Sequence, residues 1–277
     1  MDRKRLTAFS SGRIKRRDDL LAVEEPLEIR VGGRSLTVLM RTPGDDIDLA
    51  KGLLFTEGIV RRASDIGVIV HCDDPGETDL GNIVTVRLVP GVTVDWKRLK
   101  RSFFATASCG LCGKTTIAAV RNAAPPLRKT RFTVRPNILL GLPDRLHEAQ
   151  AGFRTTGGLH AAGLFDAAGR LLIHREDVGR HNAVDKVIGA ALDEGLLPLS
   201  RHILLVSGRA SFEIIQKALM ARVSVVAAVS APSTLAVELA REARMTLVGF
   251  LRRKKFNIYA GEARIARAAT GGRACPL

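Results

Sequence analysis

The chain has 277 residues, 46% hydrophobic and 26% charged, with a formal net charge of +15 at pH 7. That length accommodates one large domain or two small ones around a sizeable core. No apolar run approaches the roughly 18 residues of a membrane-spanning helix. The charged start Met1-Asp2-Arg3-Lys4-Arg5 has no apolar stretch behind it to serve as a secretory leader. A cytoplasmic location is therefore expected, with Cys72, Cys109, Cys112 and Cys275 as reduced thiols. The excess positive charge favours an anionic partner. It concentrates in residues 1–17, with seven Lys/Arg against one Asp, and in residues 240–273, with nine against two Glu. Zinc-finger spacing and the aromatic signature of RNA-binding sheets are both missing, so neither nucleic acid nor a membrane is the expected partner.

Residues 1–24 are basic and polar, show little apolar periodicity, and read as a flexible arm. Residues 27–31 and 35–41 flank Gly32-Gly33, the pattern of a hairpin. Thr42-Pro43-Gly44-Asp45 ends the second strand, and Asp45 or Asp46 suits the cap of a helix through Leu49, Leu53 and Leu54 that ends at Gly58. Segments 66–70 and 83–88 read as strands on either side of the turn-rich Asp73-Asp74-Pro75-Gly76. Residues 25–105 are thus expected to form a smaller N-terminal α+β subdomain. A Gly-rich turn at Cys109 leads into a helix to about Val120, the chain breaks at Pro125-Pro126, and Pro136 opens a helix through Leu139, Leu146 and His147. A hairpin of 159–166 with 170–175 follows, then helix 180–193, strand 202–206, helix 211–222, strand 223–229, helix 233–243 and strand 245–251. Apolar strands alternating with helices of this kind predict an α/β fold, a mixed sheet covered by helices, over residues 106–267. Residues 268–277 read as a tail.

Cys109 and Cys112 are spaced C-x-x-C and flanked by Gly110 and Gly113. The spacing admits a redox dithiol, half of a metal site, or a sulfur-handling nucleophile. A four-cysteine zinc site lacks its second pair. A mixed site would borrow from His160, His174 or His181 and give a zinc-dependent, deaminase-like hydrolase. Zinc deaminases, however, place His-x-Glu before Pro-Cys-x-x-Cys, whereas His174-Arg175-Glu176 follows the pair here. A thioredoxin-like dithiol would sit in a shorter βαβ context than the flanks provide. Sulfur handling fits best. The attacking species must be a thiolate, and both Lys114 and the predicted helix start would lower the thiol pKa. The glycines keep the sulfur reachable, and a second thiol three residues on suits release or protection of a persulfide. No tightly bound metal is expected.

Several polar clusters lie at strand ends. Residues 175–182 pack two Arg, Glu, Asp, His and Asn around Gly179 at a strand-to-helix junction, and read as a site wall in which Asp177 or Asn182 bonds a ligand or fixes His181. Gly157-Gly158 suits close backbone approach, with His160 orienting a bound group. Ser207-Gly208-Arg209 ends a strand and precedes a helix, the usual ligand position in α/β folds, and Ser211 suits the cap of that helix. Ser230-Ala231-Pro232-Ser233 repeats the arrangement, with Ser233 as N-cap. Arg252, Arg253, Lys254 and Lys255 follow a strand directly and suit an anionic ligand.

Ser108-Cys109-Gly110-Leu111-Cys112-Gly113 resembles the signature of the FdhD family of formate dehydrogenase accessory sulfurtransferases. So do Thr156-Gly157-Gly158-Leu159-His160-Ala161-Ala162 and the run from Arg175 to Lys186. Ser207-Gly208-Arg209 with Ser211-Phe212-Glu213, and Ser230 to Ser233, continue the resemblance in order. It implies a cytidine-deaminase-like fold with an N-terminal addition. It implies a persulfide carried on Cys109, with Cys112 as the second thiol, taken from a cysteine desulfurase. The sulfur would pass to the bis-molybdopterin guanine dinucleotide form of the molybdenum cofactor, bound as substrate, for formate dehydrogenase. Phe250, Leu251, Arg252, Arg253, Lys254 and Lys255 match the family's cofactor-contacting segment but are more basic. Ser207, Arg209, Asp177 and His181 would complete that site, and a homodimer is expected from the family.

Overall fold

The structure is a computed structural model and describes residues 1–72, 80–96, 99, 125–128 and 130–266. β1 (Asp2–Ser10) and β2 (Arg13–Leu21) form a separate two-stranded ribbon. Within the stretch read as a flexible arm, residues 2–10 are paired with 13–21, Asp2 opposite Leu21 and Ser10 opposite Arg13. Its alternation escapes a search for apolar periodicity because almost every side chain faces water.

β3 (Glu25–Val31) and β4 (Arg34–Arg41) pair antiparallel, as the two-glycine turn predicts. Gly32 and Gly33 both take positive φ, 58° and 78°, the conformation whose twist matches a hairpin. α1 (Asp46–Thr56) follows, then β5 (Ile66–His71) and β6 (Ile83–Leu88). The four strands form one sheet in the order β4-β3-β6-β5. Asp45 does precede α1, but in the left-handed region and without a side-chain cap. The helix start is held instead by buried Arg41, which bonds both oxygens of Asp46 at 3.0 Å and reaches Asn82 at 2.9 Å.

The rest of the chain builds a six-stranded mixed sheet. α2 (Pro136–Ala149) and α3 (Ala151–Thr156) lead into the hairpin β7 (His160–Phe165) and β8 (Leu171–Asp177). Then come α4 (Arg180–Asp193), β9 (Ile203–Val206), α5 (Phe212–Met220), β10 (Val225–Ala228), α6 (Thr234–Glu242), β11 (Thr246–Arg252) and β12 (Lys255–Ala260). The order is β12-β11-β10-β9-β7-β8, with β9, β10 and β11 parallel and β7 antiparallel to both its neighbours. The mixed α/β architecture matches the sequence reading. β12 was not expected; half of its side chains are exposed, as suits an edge strand.

Alternation places the core on both faces. Ile203, Leu205, Val225 and Ala227 pack with Leu139, Leu142 and Leu146 of α2. Leu204, Val206, Val226 and Ala228 pack on the other side with α4, α5 and α6, in a cluster that continues into Leu27, Ile29, Val84 and Val86 of the N-terminal sheet.

The two sheets are joined where α1 crosses α4. A Cβ at Gly52 would lie 1.8 Å from the Asp185 carbonyl oxygen, and one at Gly189 would lie 1.9 Å from that of Asp48. Only glycine at both positions lets the backbones approach this closely. Beside the crossing, Lys217 of α5 donates to both oxygens of buried Asp185, at 2.7 and 2.9 Å, and Thr56 of α1 donates to Asp185 Oδ1 at 2.8 Å. Three helices thus share one buried ion pair.

Candidate functional site

β8, β9, β10 and β11 run in one direction, so their carboxyl ends gather along one edge of the sheet with the start of β7. α4, α5 and α6 each begin just after one of these strands. Their free N–H groups therefore point toward the same edge, a setting that favours anions. A cavity of about 520 Å³ opens there, lined by His147, Gln150, Phe153, Gly157, Gly158, Leu159, His160, Ser207 and Val229, with Pro143 and Asp144 at its side.

Ser207 and His160 both line this cavity. The Ser207 hydroxyl accepts from the Ala161 amide at 2.9 Å, and the Ser207 amide donates to the Ala161 carbonyl at 2.9 Å. The hydroxyl keeps its own proton available for a bound acceptor. Burial pushes His160 below the ordinary histidine range, and the neighbouring cations Arg180 and Arg209 push it the same way. Arg209 is exposed and pairs with no carboxylate among the described residues. Arg180 opens α4, and its buried Nε has no hydrogen-bond partner among the described residues.

His181 is fixed from α5. Its Nε2 lies 2.7 Å from Glu213 Oε2 and 3.2 Å from Ser211 Oγ. The bond to His181 holds the Glu213 carboxyl below the usual carboxylate range, with burial opposing and Lys217 and Arg180 reinforcing. Ser211 therefore occupies the N-cap position of α5 but spends its hydroxyl on His181 and makes no side-chain cap. Ser233 caps α6 as expected, accepting from the Ala236 amide at 3.3 Å.

Asp177 is fully buried. Its Oδ1 accepts from the Gly179 amide and from Asn182 Nδ2, and its Oδ2 from the Thr42 amide and Lys186 Nζ. With every position taken by protein donors, it orders the wall and presents nothing to the cavity. Gly179 serves the same packing: a Cβ there would meet Asn182 Nδ2 at 2.9 Å. The space that Gly179 leaves is filled by this neighbouring side chain.

The basic segment is a hairpin end and not an open loop. β11 runs through Arg252, Arg253-Lys254 form the turn, and Lys255 begins β12. Leu251 is fully buried against α2, so it packs and does not face a ligand. Phe250 is 41% exposed at a φ of 51°, its amide bonded to the Ser230 carbonyl at 3.0 Å. Arg252 bonds the Val229 carbonyl, and Arg253 pairs with Asp144 at 2.9 Å. Val229 and Asp144 both line the cavity, so these two arginines stand at its rim. Lys254 and Lys255 are exposed.

Cys109 and Cys112 lie outside the described residues. Among the described residues no group of three or more His, Cys, Asp or Glu is placed to hold a metal ion, and no helix is long and apolar enough to cross a membrane. Glu213, His147, Gln150 and Phe153 escaped the sequence reading of the site. Glu213 stands inside a quoted motif, but nothing in one dimension links it to His181. Arg180 belonged to the wall read at residues 175–182, without a role of its own. His147, Gln150 and Phe153 carry no spacing signal, because they reach the cavity through the turn between α2 and α3.

The model of the FdhD/NarQ family matches residues 22–266. The sulfur carrier protein FdhD of Streptomyces avermitilis is 52% identical, over 97% of this chain and 96% of that protein. The protein of the same name from Mycobacterium tuberculosis is 46% identical, over 95% and 97%. A crystal structure from Desulfotalea psychrophila, provisionally described as a formate dehydrogenase accessory protein, aligns with a TM-score of 0.76 at 22% identity. It covers 96% of this chain and 99% of its own. That likeness establishes a shared fold.

Proposed function

The chain belongs to the FdhD/NarQ family, and from that premise we propose that it is a sulfur carrier serving formate dehydrogenase, with Cys109 as the carrying thiol. The Cys109 thiolate attacks the terminal sulfur of a persulfide on a cysteine desulfurase. The S–S bond of the donor breaks, and the donor cysteine leaves as thiolate. Cys109 then holds the sulfane sulfur until an acceptor takes it, when Cys109 departs as thiolate and regains a proton. Cys112 protects the persulfide, or attacks its inner sulfur, expels hydrosulfide and leaves a Cys109–Cys112 disulfide that a thiol reductant must reopen. The acceptor in this reading is the bis-molybdopterin guanine dinucleotide form of the molybdenum cofactor, bound as substrate.

The observation that carries the binding half is the cationic edge of the cavity. Arg180 holds a buried donor without an acceptor, Arg209 stands free of carboxylates among the described residues, and Arg252 and Arg253 lie at the rim. Three helix starts add their N–H groups. Pyrophosphates are the chemistry such an edge attracts, while Ser207 and His160 offer neutral hydrogen bonds to a base or sugar. The run of parallel strands flanked by antiparallel β7 and β12 is compatible with a cytidine-deaminase-like sheet. The cytoplasm as the place of action and a homodimeric state are carried from the family resemblance alone.

The test incubates the purified chain with a cysteine desulfurase and cysteine labelled at sulfur. Label that stays on the chain, is released by reductant and disappears in Cys109→Ala is the expected result. Label retained by Cys109→Ala refutes the assignment.

A further inference from the structure

We propose that the β1-β2 ribbon is a docking finger for an acidic protein surface, engaged through the face that carries Phe9, Ile14 and Arg16. Phe9 and Ile14 are direct cross-strand partners beside the turn, and they are 73% and 72% exposed. Side chains alternate along a strand, so the register puts Arg3, Arg5 and Thr7 on the same face, with Thr7 opposite Arg16. An aromatic and an aliphatic anchor flanked by arginines is the composition of an interface core.

Among the described residues nothing covers Phe9 and Ile14 on this face. A two-stranded ribbon alone is at best marginally stable in water, so a partner that buries the apolar pair would add to its stability. Some of the charge is satisfied internally: Lys4 lies 2.7 Å from Asp2, Arg5 3.8 Å from Asp18 and Arg17 3.9 Å from Asp19. On the docking face, where Asp18 is the one acidic residue, Arg3 and Arg16 have no carboxylate partner among the described residues. That surplus calls for acidic groups on the other side. The docking face presents about half of the ribbon's side chains, one part of a standard interface of roughly 20–30 residues a side.

Two observations favour a protein over a bilayer or nucleic acid. Asp2, Asp18 and Asp19 stand on the same ribbon and would meet like charge on a phosphate-covered surface. The ribbon is also rooted beside the cavity: β2 packs on α3, Ala22 lies 3.2 Å from the Cβ position of Gly158, and Phe153 and Gly158 line the cavity. A protein held on the finger stands next to the cavity mouth, where cargo is exchanged. The inference rests on the sulfur-carrier reading for what is exchanged, and on the ribbon alone for the docking.

The test immobilises the full chain and presents, separately, a cysteine desulfurase and a formate dehydrogenase from the same organism, anionic phospholipid vesicles, and a short DNA duplex. Salt-sensitive binding of one of the two proteins is expected. It should weaken by about tenfold or more with Phe9→Ser, Ile14→Ser and Arg16→Glu combined. Arg13→Glu with Lys15→Glu, on the opposite face, should cost less than about threefold. Equal loss from both faces, no ribbon-dependent binding of either protein, or ribbon-dependent binding of vesicles or DNA in their place overturns the proposal. Loading of Cys109 from a small-molecule persulfide, which needs no docking, runs in parallel. Failure of loading with protein binding intact strikes the sulfur reading and leaves the finger standing. Loading intact without ribbon-dependent binding strikes the finger alone.

Discussion

His181 and Glu213 meet across two helices, Nε2 to Oε2 at 2.7 Å, and this contact fixes the imidazole at the start of α4. The carboxylate comes from the first turn of α5 and the imidazole from the first turn of α4. The bond aligns two helix starts that face one site, and Ser211 adds a second contact to the same nitrogen.

Replacing Glu213 by Gln keeps the shape and removes the charge. Both side chains are about 70% buried, so the loss expected at neutral pH is only about 1 kcal/mol once solvent screening is allowed for. The Glu213 carboxyl is held below its ordinary value. Its contribution is therefore present above the unfolded pKa of about 4.5 and lost as pH falls through the folded one. Urea unfolding of wild type and Glu213→Gln should converge toward acid pH; a gap that widens there contradicts this account.

His160 gives a pH signature of the same sign, at higher pH. Burial and the cations around it lower its pKa, so the folded protein resists a proton that the unfolded chain accepts. Its contribution to stability is full above about pH 6.5 and declines as pH drops through that value toward the folded pKa. His160→Gln should lose less stability than wild type between about pH 7.5 and about pH 5.5. His202, lowered by burial against the pull of Asp166, supplies part of the dependence that remains. Equal slopes in the two proteins would remove His160 from the explanation.

The crossing of α1 and α4 leaves no room at Gly52 or Gly189. Gly52→Ala places a methyl 1.8 Å from a backbone oxygen, so the helices must separate. The expected cost is about 3 kcal/mol or more, at the upper end for overpacking, read as a fall in Tm. Alanine at Gly195, where nothing lies within 4 Å but φ is 66°, tests strain without a clash. It should cost less, about 1 kcal/mol.

Lys217→Met leaves Asp185 buried without its cation, a loss of about 3–5 kcal/mol. Combining it with Asp185→Leu removes both charges, and the double variant should be more stable than Lys217→Met alone. A double variant as unstable as the sum of the singles would mean that the pair is not one unit.

Much of this architecture was legible in one dimension. Residues 203–206 and 225–228 are short apolar runs between helix-length segments, and both became fully buried strands. Gly32-Gly33 specified its turn. Elements facing water were hidden: the ribbon of residues 2–21, edge strand β12 and one-turn α3 carry little apolar signal. In the site, strand-end position located Ser207, and the strand after Gly157-Gly158 located His160. Side-chain partnerships were out of reach. Asp177 looked available from its neighbours in sequence, but Thr42 and Lys186, distant along the chain, take its second oxygen. Ser211 looked like a cap, but His181 takes its hydroxyl.

The most direct measurement is the intact mass of the chain after incubation with a cysteine desulfurase and cysteine, before and after reductant. The account predicts a gain of one sulfur atom that reductant removes and that Cys109→Ala never acquires. An unchanged mass in wild type, or the same gain in Cys109→Ala, contradicts it.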